Sequence, residues 1–170
     1  MGKDRHSSKL TVACRSIPPL AELDFAVVRT LDVHEVLIFL AGPPVFSLGP
    51  YIERLYVENV RSSDDHRTWR FAFRKDATFS DGSPLTAEHW YHSVARAARV
   101  GAGVHFNPKA DLVGCDQSPD GYCEGLIVRG NEVCLQLREP NKQFSRLAGK
   151  IEAAVLPITG TSRNGACAVI

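Results

Sequence analysis

An α+β fold, in which a mixed β-sheet with hairpins packs against a few helices, is predicted by three stretches of the sequence. In the first, aromatic residues alternate with other residues: Trp69, Phe71 and Phe73 against Arg70, Ala72 and Arg74. This two-residue period indicates a strand with one buried face. The second stretch, residues 86–99, has apolar residues at helical spacing. In the third, two apolar runs flank Gly130-Asn131, which is typical of a hairpin.

The helix predicted from Thr86 to about Arg99 has two different faces. Thr86 is its expected N-cap, and Gly101 and Gly103 end it. One stripe is predicted to be buried and contains Ala87, Trp90, Val94 and Ala97. The opposite side is predicted to be solvated and contains His89, His92, Arg96 and Arg99. Small residues at both ends of the buried stripe either let the helix pack closely on a sheet or leave room for a ligand.

The other elements follow from shorter patterns. A first strand is predicted at residues 9–14, helices within residues 17–40, a short strand at 45–48 and a central strand at 51–60. A polar hairpin at 61–67 precedes the aromatic strand, and residues 126–128 and 133–137 form the second hairpin. Residues 104–125 are rich in Asn, Asp, Pro and Gly, so we expect the longest loop there, a candidate lid or partner-contact segment.

One domain suits a chain of 170 residues, of which 44% are hydrophobic and 23% charged. We expect a polar N-terminal tail at residues 1–8, a single domain at 9–160 and a flexible C-terminal tail at 161–170. The net charge of +1 gives no electrostatic reason to expect a nucleic-acid or membrane partner. Because no apolar run is long enough for secretion or for a membrane span, the chain is predicted to be cytoplasmic.

Cysteine and histidine spacing does not predict a metal centre. The five cysteines form no C-x-x-C pair and are expected to be free thiols in a reducing compartment. His89 and His92 are three residues apart on a helix, but no carboxylate or cysteine lies at a matching spacing. We therefore predict no metal and no cofactor.

The run WRFAFRKDATFSDGSPLTAEHW at residues 69–90 resembles the signature of the family 5 extracellular solute-binding proteins, the dipeptide and oligopeptide receptors of ABC importers. The resemblance continues at 131–149 and 155–157 and begins at 9–14, so it covers about residues 9–157, the first third of a full receptor. It implies a fold like one lobe of such a receptor. One departure is His89, where the family usually has an Asp that completes a capping box with the threonine.

As a domain standing alone, the chain also resembles the small Pictet–Spengler cyclases that form the β-carboline scaffold of the marinacarbolines. That resemblance implies a catalytic glutamate at the position of Ala97, an arginine at that of Ala72 and a histidine at that of Ala87. All three positions are alanine here, so either the placement is wrong or the alanines are engineered. A glutamate at 97 would lie on the buried stripe, where burial raises a carboxyl pKa towards the range suited to general acid–base catalysis.

The cyclase hypothesis assigns substrate binding to the remaining positions around this stripe, namely Ala72, Ala87, Arg70, Arg74, Trp90 and Val94. Its substrates would be L-tryptophan and an α-oxo aldehyde, and no cofactor is needed. A homodimer is expected to bury apolar surface that a single lobe leaves uncovered. The alternatives are a non-catalytic peptide or small-molecule binding module derived from a solute-binding protein, and a structural fragment that only dimerises.

Overall fold

The computed structural model of this chain describes Leu37 and residues 41–48, 50–100, 105–118 and 123–158. The predicted strand at 9–14, both predicted tails and, apart from the buried Leu37, the predicted helices within 17–40 lie outside these residues. The described residues form two antiparallel sheets, and the longest helix packs on one side of the larger sheet. None of their helices has the length and apolar character that crossing a bilayer requires.

The strands fall into a two-stranded and a four-stranded sheet. The small sheet pairs β1 (Val45–Leu48) with β2 (Tyr51–Arg54). The larger sheet has the order β3, β4, β6, β5, formed by Val57–Ser62, Thr68–Phe73, Glu132–Gln136 and Leu126–Arg129 respectively. The helices are α1 (Ala87–Val100), α2 (Pro108–Asp111) and α3 (Phe144–Leu147), and a 3-10 turn covers Ile151–Ala153.

The core lies between the four-stranded sheet and α1. Trp69, Phe71 and Phe73 of β4 are all buried, as their alternation predicts. The Phe71 ring meets the Trp90 ring of α1 edge to face at a centroid distance of 4.8 Å, and the Phe73 ring lies 5.8 Å from it. Such aromatic pairs add to the stabilisation from buried area. The strand and helix predicted to cover each other therefore do so.

The predicted central strand at residues 51–60 is wrong in two respects. The stretch forms two strands, β2 and β3, in different sheets, because the chain turns at Leu55 and Tyr56, whose N–H groups both donate to the Pro44 carbonyl at 3.1 Å. β3 is an edge strand rather than a central one. Its register with β4 shifts between Val57 and Asn59, and this bulge explains why the apolar alternation is imperfect.

The predicted loop at 104–125 contains more structure than expected. Its described part includes α2, which is capped by the Asn107 side chain accepting from the Ala110 N–H at 3.4 Å. The Val113 N–H then donates to the Gln136 carbonyl at 3.0 Å, and the Gly125 N–H donates to the Val113 carbonyl at 2.9 Å. A Cβ at Gly125 would lie 2.7 Å from the Gln136 carbonyl oxygen. These contacts fasten the segment to β6.

Candidate functional site

The residues predicted to form a catalytic site lie on two sides of the sheet. Ala87, Trp90, Val94 and Ala97 are buried on the α1 face that packs against the inner side. Arg70 and Ala72 lie on the opposite side, because they alternate with the buried aromatic residues of β4. Arg74 follows the strand, and its Nη2 donates to the Arg54 carbonyl at 2.9 Å. The structure therefore does not bring Arg70, Ala72 and Arg74 together with the helical stripe.

The buried stripe of α1 is packed core. Trp90 and Val94 are fully buried, and Ala97 is 4% exposed. The Trp90 Nε1 donates to the Ala153 carbonyl at 2.9 Å, which joins α1 to the 3-10 turn. Of the two possibilities that the small residues left open, the described residues show close packing of the helix on the sheet.

The start of α1 contains the residue at which the sequence departs from the family signature. The His89 Nδ1 accepts from the Thr86 backbone N–H at 3.1 Å, and the Thr86 hydroxyl lies 2.9 Å from the same nitrogen. The ring also packs edge to face on Phe79 at 5.0 Å. His89 is thus half-buried and not on a solvated face as predicted. It occupies the position that an acidic residue holds in a capping box.

The His89 cap should make stability depend on pH. Burial lowers the pKa of His89, and this outweighs the nearby Glu88, which raises it. The neutral ring accepts the Thr86 N–H, so its stabilisation is present above the unfolded pKa of about 6.5 and is lost as pH falls through the lower folded pKa. His89→Asp should remove this component, since a carboxylate still accepts the bond. Urea unfolding of both proteins between about pH 7 and pH 5 should show the variant gaining relative stability as the pH falls. Arg99→Asp, at an exposed site on the same helix and ten residues from His89, is the control and should not gain in this way.

The outer face of the four-stranded sheet is the open surface that carries two of the predicted residues. It consists of Asn59, Arg61, Arg70, Ala72, Ile127, Arg129, Glu132 and Cys134. The strand register places Arg61, Arg70, Cys134 and Ile127 in one row and Asn59, Ala72, Glu132 and Arg129 in the next. In an antiparallel sheet covered on one side, such a face is available to solvent or to a ligand.

One ion pair and one thiol lie at the centre of the outer face. The Arg70 Nη1 is 3.4 Å from the Glu132 Oε1, an arrangement that leaves the arginine half-exposed. Cys134 is a free thiol, as predicted, and lies directly across from Arg70. Burial raises the pKa of its thiol, although the nearby Arg70 opposes this shift. A thiol held in its neutral form acts as a small apolar group rather than as a nucleophile.

The prediction that all the cysteines are free thiols is wrong for Cys115 and Cys123. They form a disulfide, and both residues are buried. The bridge closes a segment whose two ends are already held together by the bonds of Val113 and Gly125 to each other and to β6. The search for C-x-x-C pairs did not reveal this disulfide, because seven residues separate its two cysteines. The run Ser-Pro-Asp-Gly between them, which is typical of a turn, is a local sequence signal that the chain returns there.

Two clefts lie next to Arg138, and the first of them borders the disulfide-closed segment. One, of about 610 Å³, is lined by residues that include Asp116, Glu124 and Arg138. Arg138 forms an ion pair with Asp116 and thereby lowers the pKa of that carboxyl. The other, of about 150 Å³, is lined by both polar and apolar residues, among them Asp111, Asn141 and Phe144. Arg138 lines both clefts, and its pairing with Asp116 leaves it less available to a ligand.

Sequence reasoning also missed a buried carboxylate. Glu152 is 3% exposed, and its Oε1 accepts the His105 N–H at 3.2 Å. Its Oε2 has no hydrogen-bond partner in the described ranges. The neighbouring Ala153 accepts the Trp90 bond, so this carboxylate lies close to α1, the helix on which the cyclase resemblance implied a glutamate. Among the described residues, no group of three or more His, Cys, Asp or Glu could hold a metal ion.

The family and the fold are shown by comparison with known proteins. Residues 52–164 match the bacterial extracellular solute-binding proteins, family 5 middle. The murein tripeptide binding protein MppA of Escherichia coli has a similar fold, with a TM-score of 0.67 and 23% identity over 81% of this chain and 28% of its own length. OppA of Haemophilus influenzae, in complex with the peptide RPPGFSPFR, gives a TM-score of 0.69 and 19% identity over 80% and 28%.

A third structure extends this similarity to another organism. A periplasmic oligopeptide-binding protein of Borrelia burgdorferi gives a TM-score of 0.68 and 18% identity over 81% of this chain and 29% of its own. The chain thus spans less than a third of the length of these three proteins. No curated protein matches the sequence. Since the family match takes in residues 52–164 of 170, the chain belongs to the family 5 bacterial extracellular solute-binding proteins.

Proposed function

We propose that the chain is a non-catalytic binding module for peptides or small molecules, derived from the solute-binding protein of an ABC importer. The observation that carries this proposal is the fold, which the chain shares over 80% of its length with an OppA structure that holds a peptide. The surface we propose for the ligand is the outer face, because it combines exposed charged side chains with apolar side chains.

The arrangement of the residues favours this function over the Pictet–Spengler cyclase. A cyclase needs its acid–base group and its substrate-binding groups around one pocket. Here the position expected to carry the glutamate, Ala97, is in the core, and Arg70 is on the far side of the sheet. L-tryptophan and an α-oxo aldehyde therefore find no common site among the predicted residues.

Two other expectations stay predictions. The homodimer can be tested by sedimentation of the chain at high micromolar concentration. For the cytoplasmic location, the Cys115–Cys123 bridge weighs against a reducing compartment, because disulfides persist mainly in oxidising ones.

Binding of neutral peptides tests the proposed function. Trialanine and pentaalanine should bind the full chain, whereas free L-tryptophan should not, since one amino acid cannot span the rows of the outer face. A single open surface buries little of a ligand, so we expect dissociation constants of about 0.1–1 mM. Isothermal calorimetry of each ligand measures this directly. If L-tryptophan gave heat of binding and neither peptide did, the cyclase would rank above the binding module.

A further inference from the structure

The smaller of the two clefts lies between α2, α3 and the segment that follows β6. Its apolar lining includes Phe144 and Leu137, which are both buried. The Phe144 ring packs against the Trp69 ring of β4 at a centroid distance of 5.9 Å, so the cleft lies on the inner side of the sheet. It is separate from the outer face, and an inference about it goes beyond the proposed function.

The volume of this cleft limits what it can hold. A cavity of the same volume, about 150 Å³, accommodates one benzene ring, which has about six non-hydrogen atoms. A lysine side chain, with a four-carbon stem and one ammonium group, has about five such atoms. An arginine side chain has about seven and a tryptophan side chain about ten, which exceeds this volume. The cleft therefore suits one short side chain and not a whole peptide.

Three of the residues that line the cleft are charged, and two of them already have partners. Arg138 forms an ion pair with Asp116, and its Nε donates to the Leu112 carbonyl at 3.0 Å. Glu139 is paired with Arg67, whose Nη2 lies 3.8 Å from the Glu139 Oε2. The guanidinium groups next to the cleft are thus directed to other acceptors.

Asp111 is the third charged residue, and its charge is not compensated. Its Oδ2 accepts the Asn107 N–H at 3.0 Å. Within the part of the chain that the structure describes, its carboxylate forms no ion pair. Burial raises the pKa of this half-buried carboxyl, although the Asn107 N–H opposes the shift. A partly desolvated carboxylate without a counter-ion is stabilised by a cation placed against it.

We propose that this cleft binds the side chain of a lysine residue in a peptide, with the methylene groups against Phe144 and Leu137 and the ammonium group donating to Asp111. Lysine can cover apolar surface with its stem while its ammonium group donates hydrogen bonds. A neutral apolar side chain would bury Asp111 further without a partner, and an anion would be repelled by it. The rest of the peptide stays outside the cleft.

Three amino acids with blocked ends test the proposal on the full chain, namely the N-acetyl N-methylamides of lysine, norleucine and arginine. Norleucine is lysine without its ammonium group. Each is titrated at neutral pH and low salt while heteronuclear NMR follows the amide of Asn107, which donates to Asp111. We expect lysine to bind at least about tenfold more tightly than norleucine, because it adds a charge-assisted hydrogen bond. Arginine should bind more weakly than lysine because of its size.

Three variants assign the binding to this cleft. Asp111→Asn should abolish the preference for lysine, since asparagine can still accept the Asn107 bond but has no charge. Asp76→Asn is the matched control and should keep the preference, because it removes an equal charge at an exposed position beyond the end of β4 that is remote from the cleft. Ala110→Trp, at an exposed position that lines the cleft, should weaken binding of all three probes.

The proposal is overturned if lysine and norleucine bind equally, or if the lysine preference survives Asp111→Asn. It is equally overturned if the lysine probe does not bind at up to about 50 mM. Binding of trialanine and pentaalanine to the outer face does not involve Asp111, so calorimetry of these peptides tests the proposed function independently of this inference.

Discussion

Replacing Ala97 by glutamate should destabilise the domain by about 3–5 kcal/mol and yield no β-carboline product. Position 97 is 4% exposed, and its helical neighbours Val94 and Ala98 are buried in the same core. A carboxylate there has no cation to pair with on the stripe, and an uncompensated buried charge is destabilising by about this amount. Urea unfolding gives the change in free energy, and incubation with L-tryptophan and an α-oxo aldehyde gives the activity.

Val100→Glu is the control for this substitution, because it places the same side chain three residues further along α1, at a position that is 41% exposed. We expect it to change stability by less than about 0.5 kcal/mol. If Ala97→Glu were as stable as this control and formed the β-carboline, position 97 would be a catalytic position. The cyclase hypothesis and the core-packing result thus predict opposite outcomes for a single variant.

Much of the sheet and α1 could be predicted because their signals are local. The alternation at 69–73 and the stripe of Trp90 and Val94 each reflect one buried face, which a short window of sequence records. The division of residues 51–60 between two sheets could not be predicted in this way. Apolar alternation marks a strand but does not identify its partner, and here the turn depends on bonds from Leu55 and Tyr56 to Pro44.

The alternation of residues in β4 already indicates that the predicted site residues lie on two faces of the sheet. If Phe71 and Phe73 face α1, then Ala72 must face the other way, away from Trp90. By contrast, the disulfide and the burial of Glu152 depend on tertiary contacts. Cys115 and Cys123 meet because Val113 and Gly125 are joined beside β6. Glu152 is buried because its turn packs against α1 through the Trp90 bond to Ala153.

Replacing Trp90 by alanine should also destabilise the domain by about 3–5 kcal/mol, the range for removing a large buried aromatic residue. Trp90 is fully buried, contacts the rings of Phe71 and Phe73, and donates its indole N–H to the Ala153 carbonyl. It therefore joins the sheet, α1 and the 3-10 turn, and the alanine variant would leave a cavity among all three. Urea unfolding followed by fluorescence of the remaining Trp69 measures the loss.

Two further variants separate the contributions of Trp90. Trp90→Phe keeps most of the apolar volume but leaves the buried Ala153 carbonyl without its donor, so we expect a loss of about 1–3 kcal/mol. His92→Ala, two residues along and exposed, should change stability by less than about 0.5 kcal/mol. If Trp90→Ala were no more destabilising than His92→Ala, the stripe would be loosely packed, and room for a ligand beside the aromatic face would have to be reconsidered. A large loss with alanine and a smaller one with phenylalanine would instead establish that Trp90 stabilises the core, and would leave the outer face as the surface available to a ligand.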